Sequence, residues 1–147
     1  MKTRQSQNIN TFQIRFNVPD IDNAKLPKGR NACGVYACAV LIEQHFSTTE
    51  NWFLTHYKKK DCIYPNEMID CLTKHGKVCK IKKGFNGKLL KTCIQQSTHS
   101  ASKILFITST HAVVGYNGYM NERNYNGWIE AKEYKKKKWV QLAFEVR

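Results

Sequence analysis

The sequence predicts an α+β fold: helices in the first two thirds, one of them buried, packed on an antiparallel sheet built mainly from the last third. Three observations carry this expectation. From Val35 to Ile42 the residues are apolar on every side save for the Tyr36 hydroxyl, the pattern of a helix covered from all directions. Ile104-Leu105-Phe106-Ile107 is a continuous apolar run, which suits a central strand. Asn117-Gly118 joins two strand-like stretches and is the strongest short-range hairpin signal.

Taken in order, Phe12, Ile14, Phe16 and Val18 alternate with polar residues and predict a half-buried strand ended by Pro19-Asp20. Residues 19 to 32 read as a polar loop. Pro27 to Arg30 break structure and deliver the chain to a helix that opens near Cys33 and runs to about His45-Phe46. Ser47-Thr48-Thr49-Glu50 resembles a cap for a short helix over Trp52-Phe53-Leu54. After a loop at Lys58 to Asp61, Pro65-Asn66-Glu67-Met68 starts a further helix with Met68, Ile69, Cys71 and Leu72 on its apolar face, ended by His75-Gly76. Val78 to Ile81 suits a short edge strand, residues 83 to 87 a turn, and Lys88 to Gln96 a helix with Leu89, Leu90, Cys93 and Ile94 inward. Ser97 to Ser102 is polar. The strands at 104–107, 111–116 and 119–122 follow, and Val140, Leu142, Phe144 and Val146 alternate with Gln141, Ala143 and Glu145 to close the sheet.

A chain of 147 residues with 41% hydrophobic content suits one domain, residues 1–147, with an ordinary core. No apolar run approaches the length of a membrane span, and Met1-Lys2-Thr3-Arg4-Gln5 leads into polar residues. The expectation is a cytoplasmic protein without a membrane partner. None of the six cysteines forms a Cys-x-x-Cys pair, so no zinc site or other metal is expected and the thiols stay reduced. The formal charge of +13 is concentrated in lysine clusters at 58–60, 80–83 and 135–138. Such clusters favour nucleic acid or an acidic protein through long-range attraction if they converge, and serve solubility if they scatter. Lacking interleaved aromatics, they are expected to scatter, which leaves only a weak contact of that kind.

Cys33 stands where the loop meets the buried helix. Unpaired N–H groups and the positive helix end there favour a thiolate and can also hold a negatively charged oxygen. Cys38, inside the same helix, reads as packing. Of His45, His56, His75, His99 and His111, only His111 stands at the mouth of a core strand, and it is the expected base. A two-residue turn at Asn117-Gly118 sets Tyr116 opposite Tyr119, Val114 opposite Asn121 and His111 opposite Asn124. By strand parity His111 shares a face with Glu122 and Asn124. Glu122 is therefore the first candidate to orient the imidazole. Asn121 is second, since it needs a bulge to reach the ring, and Asn126 in Asn126-Gly127-Trp128 is a further option.

Asn31-Ala32-Cys33-Gly34 at the head of an apolar helix, with His111-Ala112-Val113-Val114 on a later strand and its hairpin, resembles the papain-like cysteine peptidases. The pattern is most similar to small phage and bacterial peptidase-like proteins and to the peptidase domains of bacteriocin exporters. The resemblance spans about residues 27 to 130 and rests on those two motifs. It implies a papain-like α+β fold and an intracellular thiol hydrolase, without cofactor, acting on an amide, thioester or isopeptide bond of a peptide or protein. Cys33 would be the nucleophile, His111 the base and Glu122 or Asn121 the third residue. Asn31 takes the place near which papain-like enzymes carry a glutamine oxyanion donor, and Glu122 the place of an Asp. A more distant likeness is to ovarian-tumour-type deubiquitinases, whose Asp-Gly-x-Cys is not met by Arg30-Asn31-Ala32-Cys33. The other class of function is a binding module on the same scaffold, engaging nucleic acid or an acidic protein through its lysines.

Overall fold

The computed structural model describes residues 32–97, 102–122 and 127–147. The strand expected at residues 12 to 18, together with Asn31, Asn124 and Asn126, lies outside the described residues. Among these, the architecture is α+β with helices α1 (Cys33–Ile42), α2 (Phe46–Tyr57), α3 (Pro65–Lys74) and α4 (Leu90–Gln96). The strands are β1 (Cys79–Ile81), β2 (Lys103–Thr108), β3 (Ala112–Tyr116), β4 (Tyr119–Asn121), β5 (Ile129–Glu130) and β6 (Val140–Val146). They form one antiparallel sheet in the order β1-β6-β2-β3-β4-β5. None of the described helices is long and apolar enough to cross a membrane.

α1 is buried from Cys33 to Leu41, as its all-round apolar sequence requires. It stops at Ile42, a turn earlier than the sequence pattern suggests. Glu43 takes a left-handed backbone (φ 54°), and the Gln44 N–H returns to the Ala39 carbonyl at 3.1 Å, closing the helix in a Schellman-type cap. α2 starts at Phe46, ahead of the expected cap at Ser47–Glu50, and is longer than the short helix expected over 52–54. The Thr49 hydroxyl donates inside the first turn, to Gln44 Oε1 at 2.9 Å and the His45 carbonyl at 3.0 Å. Buried Phe46 and Phe53 then anchor the helix on α1. α3 begins at Pro65, and Glu67 Oε1 accepts the Tyr64 N–H at 2.8 Å, so Glu67 works as a first-turn cap.

Strand periodicity divides the core in two. Leu105, Ile107, Ala112, Val114 and Val146 face α1, α2 and α3. Ile104, Phe106, Val113, Met120, Val140 and Ala143 face the opposite side, covered by α4, Ala131, Tyr134 and Phe85. The hairpin has the expected register, Tyr116 opposite Tyr119 and Val114 opposite Asn121. Positive φ at Asn117 (52°) and Gly118 (83°) makes the turn that matches strand twist. The regular alternation expected for β6 fails. Leu142 pairs with Ile107 but Val140 pairs with Thr108, so Gln141 bulges out, and Val140 and Ala143 point to the same side. Leu142 is 41% exposed.

The lysine clusters were expected to scatter; backbone pairing sets two of them along one sheet edge, at different points on it. Residues 82 to 90 run alongside residues 138 to 143: the Lys82 N–H donates to the Ala143 carbonyl, Val140 N–H to the Lys88 carbonyl and Leu90 N–H to the Lys138 carbonyl, each at 2.8 Å. Residues 80–83 therefore lie beside residues 143–145, while Lys88 lies beside the 135–138 run.

Candidate active site

The first turn of α1 places Cys33 at the junction of loop and helix. Ala32 precedes the helix and no side chain caps it, so the N–H groups of the first turn lie outside the helix's own ladder and point toward the space before it. The Cys33 side chain is nearly enclosed, at 7% exposure. Its thiol lies 3.9 Å from the Thr110 carbonyl oxygen, to which the S–H donates. This contact joins residues 77 apart in sequence and brings the start of α1 against the β2–β3 connection.

That connection, Thr108-Ser109-Thr110-His111, is a tight turn held by Thr108. The Thr108 N–H donates to the His111 carbonyl at 2.9 Å. The Thr108 hydroxyl accepts the His111 N–H at 3.0 Å and the Thr110 N–H at 3.4 Å, and donates to the His111 carbonyl at 3.3 Å. β3 begins at Ala112, so His111 belongs to the turn rather than to the strand. Strand parity therefore does not fix the direction of its ring, which corrects the argument that put His111 on one sheet face with Glu122.

Cys33 and His111 line one cavity of about 380 Å³. One wall comes from Ile63, Tyr64, Pro65 and Met68 at the start of α3, the other from Ile107, Thr108 and Gln141 of the sheet. The bulge at Gln141 turns that residue toward the cavity. Gly34 lets α1 approach the α3 wall: a Cβ there would lie 3.0 Å from Met68 Cε and 3.1 Å from Ile63 Cβ. Lys59 supports the α3 wall by donating to the Cys62 carbonyl (3.2 Å), pairing with Glu67 (2.8 Å) and lying over the Tyr64 ring (4.2 Å).

The two candidates for the third role go to different places. Asn121, buried at the end of β4, accepts the Tyr36 hydroxyl on Oδ1 at 2.6 Å. Tyr36 lies one helical turn beyond Cys33, so this bond fixes α1 on the sheet. Burial raises the Tyr36 hydroxyl well above the usual tyrosine range, and it stays a neutral donor. Glu122, fully buried, accepts the Tyr134 hydroxyl at 3.3 Å, where Tyr134 belongs to the core on the opposite side of the sheet. Neither Asn121 nor Glu122 lines the cavity that holds Cys33 and His111.

Thr108 is the residue that sequence reasoning missed. Its signal lay in the Thr-Ser-Thr-His spacing, because Ser and Thr hydroxyls close such turns on their own backbone. Cys38 is enclosed as expected. Its thiol donates to the Met68 carbonyl at 3.8 Å, and burial pushes its pKa up. Among the described residues, no group of three or more His, Cys, Asp or Glu is arranged to hold a metal ion. In comparisons with known proteins, the chain matches no family model, no curated protein and no solved structure.

Proposed function

We propose that this protein is a papain-like thiol hydrolase that cleaves an amide, thioester or isopeptide bond of a peptide or protein. One observation carries the reading: the thiol at the head of a buried helix and a histidine on a hydrogen-bonded turn line the same cavity. The His111 ring takes the proton of Cys33, and the thiolate attacks the substrate carbonyl. Negative charge gathers on the carbonyl oxygen as the tetrahedral intermediate forms. The first-turn N–H groups of α1, beginning with Cys33, stabilise it together with the helix dipole. The protonated imidazole then gives its proton to the departing amine or thiol, leaving an acyl-cysteine. Water, losing a proton to His111, hydrolyses that thioester and restores the thiol. A reducing compartment such as the cytoplasm keeps Cys33 in the form this cycle needs.

Two thiols serve as internal standards for the test. Cys62 is exposed, and Cys38 is buried with its pKa pushed up by burial. Alkylation with iodoacetamide at neutral pH, mapped by peptide mass spectrometry, is expected to label Cys33 faster than Cys62 despite its burial. His111→Ala should remove that excess. A Cys33 rate no greater than that of Cys38 refutes the nucleophile. A labelling rate indifferent to His111→Ala refutes the dyad.

A further inference from the structure

Residues 86–88 and 135–138 form a positive edge whose lysines take no part in the chemistry of Cys33. Neither stretch contains an Asp or Glu. The Lys88 carbonyl accepts the Val140 N–H and the Lys138 carbonyl accepts the Leu90 N–H, each at 2.8 Å, so Lys88 is a fixed neighbour of the 135–138 run. Between them, at the isolated bridge joining Leu89 to Trp139, stands Trp139 with 56% of its surface exposed. The chain's other described tryptophans behave differently: Trp128 is enclosed and Trp52 packs on the core of α1 and α2.

Guarding a sheet edge explains part of this arrangement. β1 is an outer strand of the sheet, and lysines on an edge strand discourage pairing with another chain. That accounts for Lys80. It does not account for four successive lysines in the segment before β6, nor for a large aromatic ring held out at their end. An acidic protein surface would be met by the lysines alone. A ring open to solvent at the end of a run of cations fits a strand of unpaired bases better, because phosphates meet the ammonium groups while a base stacks on the indole. A duplex keeps its bases stacked on each other and offers the ring nothing.

We propose that Lys88 and Lys135 to Lys138, beside Trp139, bind single-stranded nucleic acid. The surface reaches the rim of the cavity, since Lys138 Nζ donates to Thr110 Oγ1 at 3.1 Å, and Thr110 is the residue whose carbonyl meets Cys33. A bound strand thus passes beside the Cys33 cavity, whatever reaction occurs there. The proposal does not depend on that reaction.

The test is fluorescence anisotropy of a labelled oligothymidylate of about 12 nucleotides, a length in the usual range for such surfaces. With about five phosphates neutralised, a single strand gives a log–log salt slope near −3.5, so raising salt from about 50 to about 200 mM weakens binding about a hundredfold. Trp139→Ala is expected to weaken binding about tenfold through lost stacking. Replacing Lys135, Lys136 and Lys137 with Gln should reduce the slope by about 2. Both changes are at exposed positions, and Lys58→Gln with Lys60→Gln serves as the control that leaves binding unchanged. Three results overturn the proposal. The first is no saturable binding at about 50 mM salt. The second is equal affinity for duplex and single strand with Trp139→Ala silent. The third is displacement by polyglutamate at equivalent charge, which assigns the surface to an acidic protein instead.

Discussion

The bond between Tyr36 and Asn121 gives the most direct test of how the nucleophile helix is held. Tyr36→Phe removes one oxygen and keeps the ring, so no cavity opens in the core. What changes is hydrogen bonding: Asn121 Oδ1, on a residue only 5% exposed, loses its 2.6 Å donor. A buried acceptor left without its partner costs about 1–3 kcal/mol. Taking about 2 kcal/mol, and about 2–4 °C per kcal/mol for a chain of this size, the melting midpoint should fall by about 4–8 °C. Asn121→Ala loses the same bond, strands the Tyr36 hydroxyl and adds a small cavity, so it should cost more. In the double variant neither orphan remains. Its cost should therefore fall short of the sum of the singles by about 1 kcal/mol or more, beyond the few tenths expected of independent sites. Urea titrations of the three variants supply the cycle. Additivity within about 0.5 kcal/mol would refute the claim that this bond clamps α1 to the sheet. The same variants bear on the third catalytic role. If Asn121 acts only as the clamp, Tyr36→Phe and Asn121→Ala should slow Cys33 alkylation to a similar extent, since both loosen the same helix. A large loss with Asn121→Ala alone would move Asn121 into the reaction itself.

The other predictions concern the turn, the cavity wall and alkaline pH. Thr108→Val keeps the branched shape but takes away the acceptor of the His111 and Thr110 N–H groups. It should cost about 1 kcal/mol per lost bond and slow neutral-pH alkylation of Cys33 about tenfold as the His111 turn shifts, and an unchanged rate would show that Thr108 does not position His111. Gly34→Ala places a methyl 3.1 Å from Ile63 Cβ and 3.0 Å from Met68 Cε; a loss of about 1–3 kcal/mol by chemical denaturation is expected, partly recovered by adding Met68→Ala. The hydrogen bond to Asp70 is the main reason the Tyr57 hydroxyl is pushed up to about 12, and burial raises Tyr36 as well. Both groups are raised above the unfolded value of about 10, so their stabilisation is full below that pH and is lost as pH climbs from about 10 toward the folded values. Urea midpoints should fall across that range, and the fall should be shallower in a Tyr36→Phe, Tyr57→Phe variant.

Much of this molecule is written in short-range pattern. The all-round apolar run after Ala32 dictates a covered helix, Pro65 with Glu67 dictates the start of α3, and Asn117-Gly118 dictates a hairpin whose register is observed as expected. These features depend on periodicity and turn chemistry within a few residues, which any chain segment carries with it. Cys33 and His111 could be singled out for the same reason, one by its place at a helix start and the other by its place before a core strand. That they line one cavity was decided by tertiary packing, through the approach of the Thr110 carbonyl to a thiol 77 residues away. The position of His111 in a turn rather than in β3 removed the parity argument for Glu122, because parity holds only along an extended backbone. The bulge at Gln141 came from a mismatch between β6 and β2 that neither strand shows alone. The placing of Lys88 beside Trp139 and the 135–138 run likewise required residues 87–90 to hydrogen-bond along 138–140. A sequence states which side chains each segment offers; only the closed sheet determines which segments lie side by side, since that choice is made by burial and backbone pairing summed over the whole core.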